Sequence, residues 1–134
     1  MSHLINVSEA ASLALHGLAI VAQQSPNKVN AKYLAEKLNA SEAHLAKIFQ
    51  RLSKSGIIRS FRGPTGGFVL NKPAEEISFL DIYEIVESKI IPNDCPLHKT
   101  GCPFENCIFG DTLKNISNNI YQTFKNIKLS DFTE

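Results

Sequence analysis

A chain of 134 residues that is 43% apolar and 20% charged is long enough for one folded core and too apolar to remain disordered. Its formal net charge of +1 conceals an uneven spread: residues 28–72 hold nine Lys or Arg against two Glu, and residues 73–134 hold five against ten Asp or Glu. No run approaches the roughly 18 apolar residues of a membrane span, and the opening MSHLINVSEAASLALHG has no basic stretch before its apolar part, so secretion and membrane insertion are unsupported and a cytoplasmic protein is expected.

Residues 8–24 read as a first helix, capped by Ser8, with Leu13, Leu18, Ile20 and Val21 among its apolar positions. Ala14 and Leu15 widen that surface, which is therefore expected to meet both its own domain and another subunit. Ser25, Pro26 and Asn27 break the helix, and Asn30 caps a second one over residues 31–38 with Tyr33, Leu34 and Leu38 inward. After Asn39 and Ala40, a new cap at Ser41 opens a third helix whose Leu45, Ile48, Phe49 and Leu52 follow three- and four-residue steps until Gly56 stops it. Two short capped helices across a tight turn are the signature of a helix-turn-helix, a spacing that small helical domains of other functions share.

Ile57, Ile58 and Ser60 then make a short strand, and Phe68, Val69 and Leu70 another, around the turn RGPTGG at residues 62–67. Its glycines permit positive φ and close backbone approach while Pro64 fixes one torsion, which predicts a hairpin tip with an arginine at its base. Opposite its apolar stripe, the third helix carries Glu42, His44, Lys47, Gln50, Arg51 and Lys54. On one helix alone such cations simply solvate the surface. Beside a hairpin that adds Arg59 and Arg62, they form a head suited to nucleic acid, because Arg, Lys and Gln donors read base edges or hold phosphates.

Lys72-Pro73 ends the second strand, and Ser78 with Asp81 forms a capping box for a helix reaching to about Ser88, with Leu80, Ile82, Tyr83 and Val86 mostly inward. KIIPNDCPLHKTGCPFENCIFG follows as a loop rich in Pro, Gly and Cys. From Asp111 a last long helix carries Leu113, Ile116, Ile120, Phe124 and Ile127, one apolar stripe that needs burial. Pairing with a second copy supplies it; the competing reading folds the helix back on its own domain. Leu129 to Phe132 is expected to be a fraying turn. The chain thus reads as mainly α with a small β-hairpin wing: a winged helix-turn-helix over residues 1–88, a cysteine-containing sensor loop over 89–110, and a dimerisation helix and tail over 111–134.

Cys95, Cys102 and Cys107 fall within 13 consecutive positions, with six residues and then four between them. Thiolates are soft ligands for iron or zinc, and a loop can bring three of them to one centre. Zinc with His98 is chemically possible, although structural zinc sites favour cysteines two to four residues apart. Thiol-based redox sensing and chemically idle cysteines complete the readings that spacing leaves open.

The stretch LAKIFQRLSKSGIIRSFRGPTGGFVLNKP, residues 45–73, resembles the IscR and NsrR family of bacterial winged-helix transcriptional regulators, as do LALHGLA from Leu13 and the cysteine group after the post-wing helix. The resemblance spans almost the whole chain, and the RGPTGGF wing is its most specific part. It implies a homodimer crossed by the C-terminal helix and bound to double-stranded DNA. His44, Lys47 and Arg51 would lie at or near the major groove, Arg62, Gly63, Pro64 and Thr65 would enter a minor groove, and Ser41 and Arg59 complete the DNA-facing set. It also implies an iron-sulfur cluster, 2Fe-2S or 4Fe-4S, held by Cys95, Cys102, Cys107 and one further residue. Two departures stand out: the cysteine spacing is slightly shorter, and Ser12 occupies the position where some members place an acidic ligand. His16, one turn later, is the protein-derived fourth ligand, its competing reading being a partly buried core histidine.

The expected function is a dimeric repressor whose DNA affinity is set by an iron-sulfur cluster responding to redox, nitric oxide or iron-sulfur status. The alternative is a cluster-free winged-helix regulator sensing oxidants or electrophiles through its thiols. An enzyme acting on a small-molecule substrate is not expected: residues 63–67 lack the order of a phosphate-binding loop, and His16 with the cysteines lacks a third orienting residue. A pure protein-interaction module would leave the basic middle unused.

Overall fold

The computed structural model describes residues 7–90 and 102–133. Among the described residues there are five helices, α1 (Glu9–Gln24), α2 (Ala31–Leu38), α3 (Glu42–Ser55), α4 (Phe79–Val86) and α5 (Thr112–Asn126), and one antiparallel hairpin of β1 (Ile58–Phe61) and β2 (Gly67–Leu70). Short 3₁₀ turns follow the hairpin at Ala74–Glu76 and close the chain at Leu129–Phe132. Among the described residues no helix is long and apolar enough to cross a membrane.

The helix starts expected from the caps are all present. Ser8 accepts from the Ala11 amide, Asn30 from Tyr33, Ser41 from His44 and Ser78 from Asp81, and the Asp81 carboxylate returns a bond from the Ser78 amide. Each satisfies a donor that the first helical turn leaves without an intrahelical partner. Asn39 and Gly56 end α2 and α3 in the left-handed conformation, with φ of 50° and 91°. Three residues therefore suffice to turn α2 into α3. The α4 helix stops two residues before the expected end, where Glu87 leaves helical geometry.

The core lies between α1, α2, α3 and α4. Leu18, Val21, Leu34, Leu45, Phe49, Leu52, Ile58, Ile77 and Ile82 are all nearly or fully inaccessible. α1 and α3 cross closely at Gly17, where a Cβ would stand 2.7 Å from the Phe49 ring. Phe49 in turn stacks at a tilt on Phe68 of β2, centroids 5.0 Å apart, so the wing shares the core of α3.

α5 is not buried as deeply. It rests on α4 through an edge-on contact of Tyr83 with Phe124, 5.6 Å between centroids, and Leu113, Ile116 and Ile120 stay half-exposed. The end of the chain overturns the expectation of a fraying turn. Leu129 is fully buried, its amide bonds the Ile77 carbonyl at 3.0 Å, the Phe79 amide bonds the Ile127 carbonyl at 2.9 Å, and Phe132 stacks on Phe79. The partners of this contact lie about fifty residues earlier in the chain, which is why helical periodicity at the terminus gave no sign of it.

Candidate nucleic-acid interface

The α3 helix is anchored by Leu45, Ile48, Phe49 and Leu52, and this fixes which residues face outward. Lys47, Gln50 and Arg51 are exposed, and His44 is half-buried. The Ser41 hydroxyl is used as the helix cap, at 3.2 Å from the His44 amide. Arg51 departs from a simple outward-reaching cation: its Nη2 donates to the carbonyl of Ile85 on α4 at 2.9 Å.

The wing follows α3 directly. Arg59 pairs with Val69 and Phe61 with Gly67, and Arg62, Gly63, Pro64 and Thr65 form its exposed tip. Gly63 has φ of 98°, and its carbonyl accepts from the Gly66 amide at 2.9 Å, closing the turn. A Cβ on Gly66 would lie 2.2 Å from the Phe61 carbonyl oxygen, so the turn admits only glycine there. The hairpin is tied to the body by a reciprocal backbone pair: the Val29 amide bonds the Phe68 carbonyl at 3.1 Å, and the Phe68 amide bonds the Val29 carbonyl at 2.8 Å.

That pairing brings in a cation which sequence reasoning passed over. Lys28, just before Val29, places its ammonium 4.4 Å from the centre of the Phe61 ring, and the Arg59 guanidinium lies 5.4 Å from the same centre. Two cations on one half-buried ring, with Arg62 next to it in the chain, make the base of the wing a concentrated positive surface. Its local signal was weak, because Lys28 sits in a helix linker and becomes part of the wing only through Phe61 and Phe68, both remote in sequence.

Among the candidate sensor residues, Cys102 and Cys107 are exposed and lie in the loop before α5, while Cys95 and His98 fall outside the described residues. His16 is exposed on α1, not a core histidine. Its Nδ1 lies 2.7 Å from the Ser12 carbonyl oxygen, which can only accept, so Nδ1 is the donor of that pair and Nε2 is the ring nitrogen it does not engage. Among the described residues, no three His, Cys, Asp or Glu converge as a metal-holding group. The two described thiols do not by themselves make a cluster-binding set.

Comparison with known proteins agrees with this geometry. The family model described as Rrf2, iron-dependent transcriptional regulator, matches residues 7–134. The HTH-type transcriptional regulator IscR of Serratia proteamaculans is 30% identical over 119 residues, 88% of this chain and 71% of that protein. Among solved structures, CymR, the global cysteine regulator of B. subtilis, superposes with a TM-score of 0.83 at 21% identity over 97% of each chain. The oxidised form of Staphylococcus aureus CymR gives 0.75 at 26% identity, again over 97% of both.

Proposed function

The chain belongs to the Rrf2 family of transcriptional regulators, and from that premise we propose that it is a dimeric, DNA-binding repressor whose cysteine segment adjusts its affinity for duplex DNA. The observation that carries the reading is the joining of two basic elements, the outer face of α3 and the wing, through the Phe49–Phe68 contact, with the Val29–Phe68 backbone pair tying the wing to the body. The exposed face with Lys47 enters a major groove, and Arg62 with Gly63, Pro64 and Thr65 follows the adjacent minor groove. Lys28 and Arg59 hold phosphates beside the wing and set much of the salt dependence. The half-exposed stripe of Leu113, Ile116 and Ile120 on α5 pairs with its counterpart in a second copy and sets two reading heads on related half-sites.

For the input, solvent access favours thiol chemistry at Cys102 and Cys107, since a sensing cysteine must be reached by its oxidant. Peroxide converts one thiolate to a sulfenic acid, which condenses with a second thiol to a disulfide and releases water. Similarity to an oxidised CymR supports the same direction. A second reading, an iron-sulfur cluster on Cys95, Cys102 and Cys107, is favoured by the available Nε2 of His16 and by the similarity to IscR. A cluster bound there would supply a redox- or nitric-oxide-sensitive centre, and His16 would be its fourth ligand.

Anaerobic purification with reconstitution, visible spectroscopy, and iron and sulfide analysis separates the two. The thiol reading expects no chromophore and a loss of two titratable thiols after peroxide treatment. Stoichiometric iron and sulfide with a visible band would replace it with the cluster reading. Absence of duplex binding at low salt would overturn both.

A further inference from the structure

One side chain joins the recognition helix to the root of the cysteine segment. Arg51 Nη2 donates to the Ile85 carbonyl at 2.9 Å, across 34 positions of sequence. Ile85 is the penultimate residue of α4, so its carbonyl is one that a helix end leaves without an internal donor, and the guanidinium meets the negative end of the helix dipole. The chain leaves α4 in a fixed direction. The Glu87 amide bonds the Tyr83 carbonyl at 2.8 Å, the Glu87 carboxylate accepts from the Ser8 hydroxyl, and the Ile90 amide donates to Glu84 Oε2 at 3.1 Å. The segment containing Cys95 begins immediately beyond. On the opposite side, Arg51 stands one turn from Lys47 on α3, whose Ile48 and Leu52 are buried in the core.

We infer that Arg51 is a positioning residue: by holding the C-terminal end of α4, its guanidinium carries the state of the cysteine segment to the recognition helix. The inference rests on the reading of the chain as a DNA-binding regulator with a cysteine input. A change at Cys102 or Cys107, in the loop that leads into α5, reaches the last turn of α4 through the contact of Phe124 with Tyr83. The Arg51–Ile85 bond passes that displacement to α3 and so to the face bearing Lys47. A switch requires such a difference between its two states, since a signal that favours neither changes nothing. Lysine retains the charge but not the planar fork that fixes the direction of the bond.

The test titrates wild type, R51M, R51K and K47M, each reduced and after peroxide treatment, against a duplex that wild type has enriched from a randomised pool, at several salt concentrations. Wild-type affinities in the two states are expected to differ about tenfold, and R51M to bring the tighter state to within about threefold of the weaker one while keeping the wild-type salt slope. R51K recovers part of the ratio. K47M weakens both states alike and lowers the salt slope by about one. An R51M protein with the reduced slope of K47M would make Arg51 a phosphate contact and overturn the inference, as would an unchanged ratio. A wild type that binds duplex equally in both states removes the cysteine input and the inference with it, whereas a wild type that selects no duplex removes the DNA reading itself. Hydrogen exchange supplies an independent readout: amides of residues 86–90 exchange faster in R51M while those of α1 do not. A uniform rise, or no rise at α4, overturns the assignment.

Discussion

Phe61 organises charge without carrying any. Its ring receives Lys28 on a segment remote in sequence and Arg59 from its own strand, so two flexible cations are held where the wing meets the body. Lys28→Ala is expected to weaken duplex binding for all sequences and to lower the salt slope by about one, measured by titration across salt. Arg62→Ala acts at the tip and is expected to lower sequence preference together with affinity, which competition between selected and random duplexes reads out. Tyr83 gives a different kind of prediction. Burial first, and the Glu87 carboxylate second, raise its phenol above 10.0. The folded state then holds that proton more tightly than the unfolded chain, so its contribution is intact below about pH 10 and is lost as pH rises beyond it. Tyr83→Phe removes this share of alkaline destabilisation, which urea midpoints at about pH 8 and about pH 10.5 would measure. Arg51 has a partner that residue-level reading does not show: its type and helical position predict a groove contact, and the tertiary fold adds the α4 carbonyl it meets.

Elements were legible in proportion to how local their causes are. The caps Ser8, Asn30, Ser41 and Ser78, the glycine stop at Gly56 and the apolar periodicity of α3 act within four residues, and each appears where the sequence indicated it. The hairpin was equally plain, because a Gly-Pro-Thr-Gly-Gly turn between two apolar runs has few other uses. Two glycines give element-scale tests. Gly66→Ala places a methyl group against the Phe61 carbonyl, so the wing must rearrange while the helical core remains; duplex affinity is expected to fall with little change in helical circular dichroism. Gly17→Ala gains up to about 1 kcal/mol in helix propensity but crowds Phe49, which is pinned by Phe68, at about 1–3 kcal/mol of overpacking. A net loss of about 1 kcal/mol is expected in chemical denaturation.

For the whole molecule, the contacts that assemble the elements were the ones periodicity could not show: Val29 with Phe68, Arg51 with Ile85, and Leu129 with Ile77 each join distant positions. The α5 stripe was recognisable as a surface in need of cover, and the fold covers only part of it through Tyr83 and Phe124. Replacing Ile116 and Ile120 together by Asp is expected to give monomers in sedimentation experiments and to weaken duplex binding at least about tenfold through lost bivalency. The cysteine segment was legible as chemistry and not as geometry, because its residue types announce reactivity while a Pro- and Gly-rich loop has no period to fix its path. The clamped end of the chain has a mechanical consequence. With Ile127 and Leu129 bonded to the body, α5 is held at one extremity, and under the proposed thiol input the loop of Cys102 and Cys107 would act on the other as on a lever. Over its fifteen residues, about 22 Å, a tilt of about 5° sweeps Thr112 through about 2 Å, so that the proposed rearrangement at sulfur would change the spacing of a paired molecule.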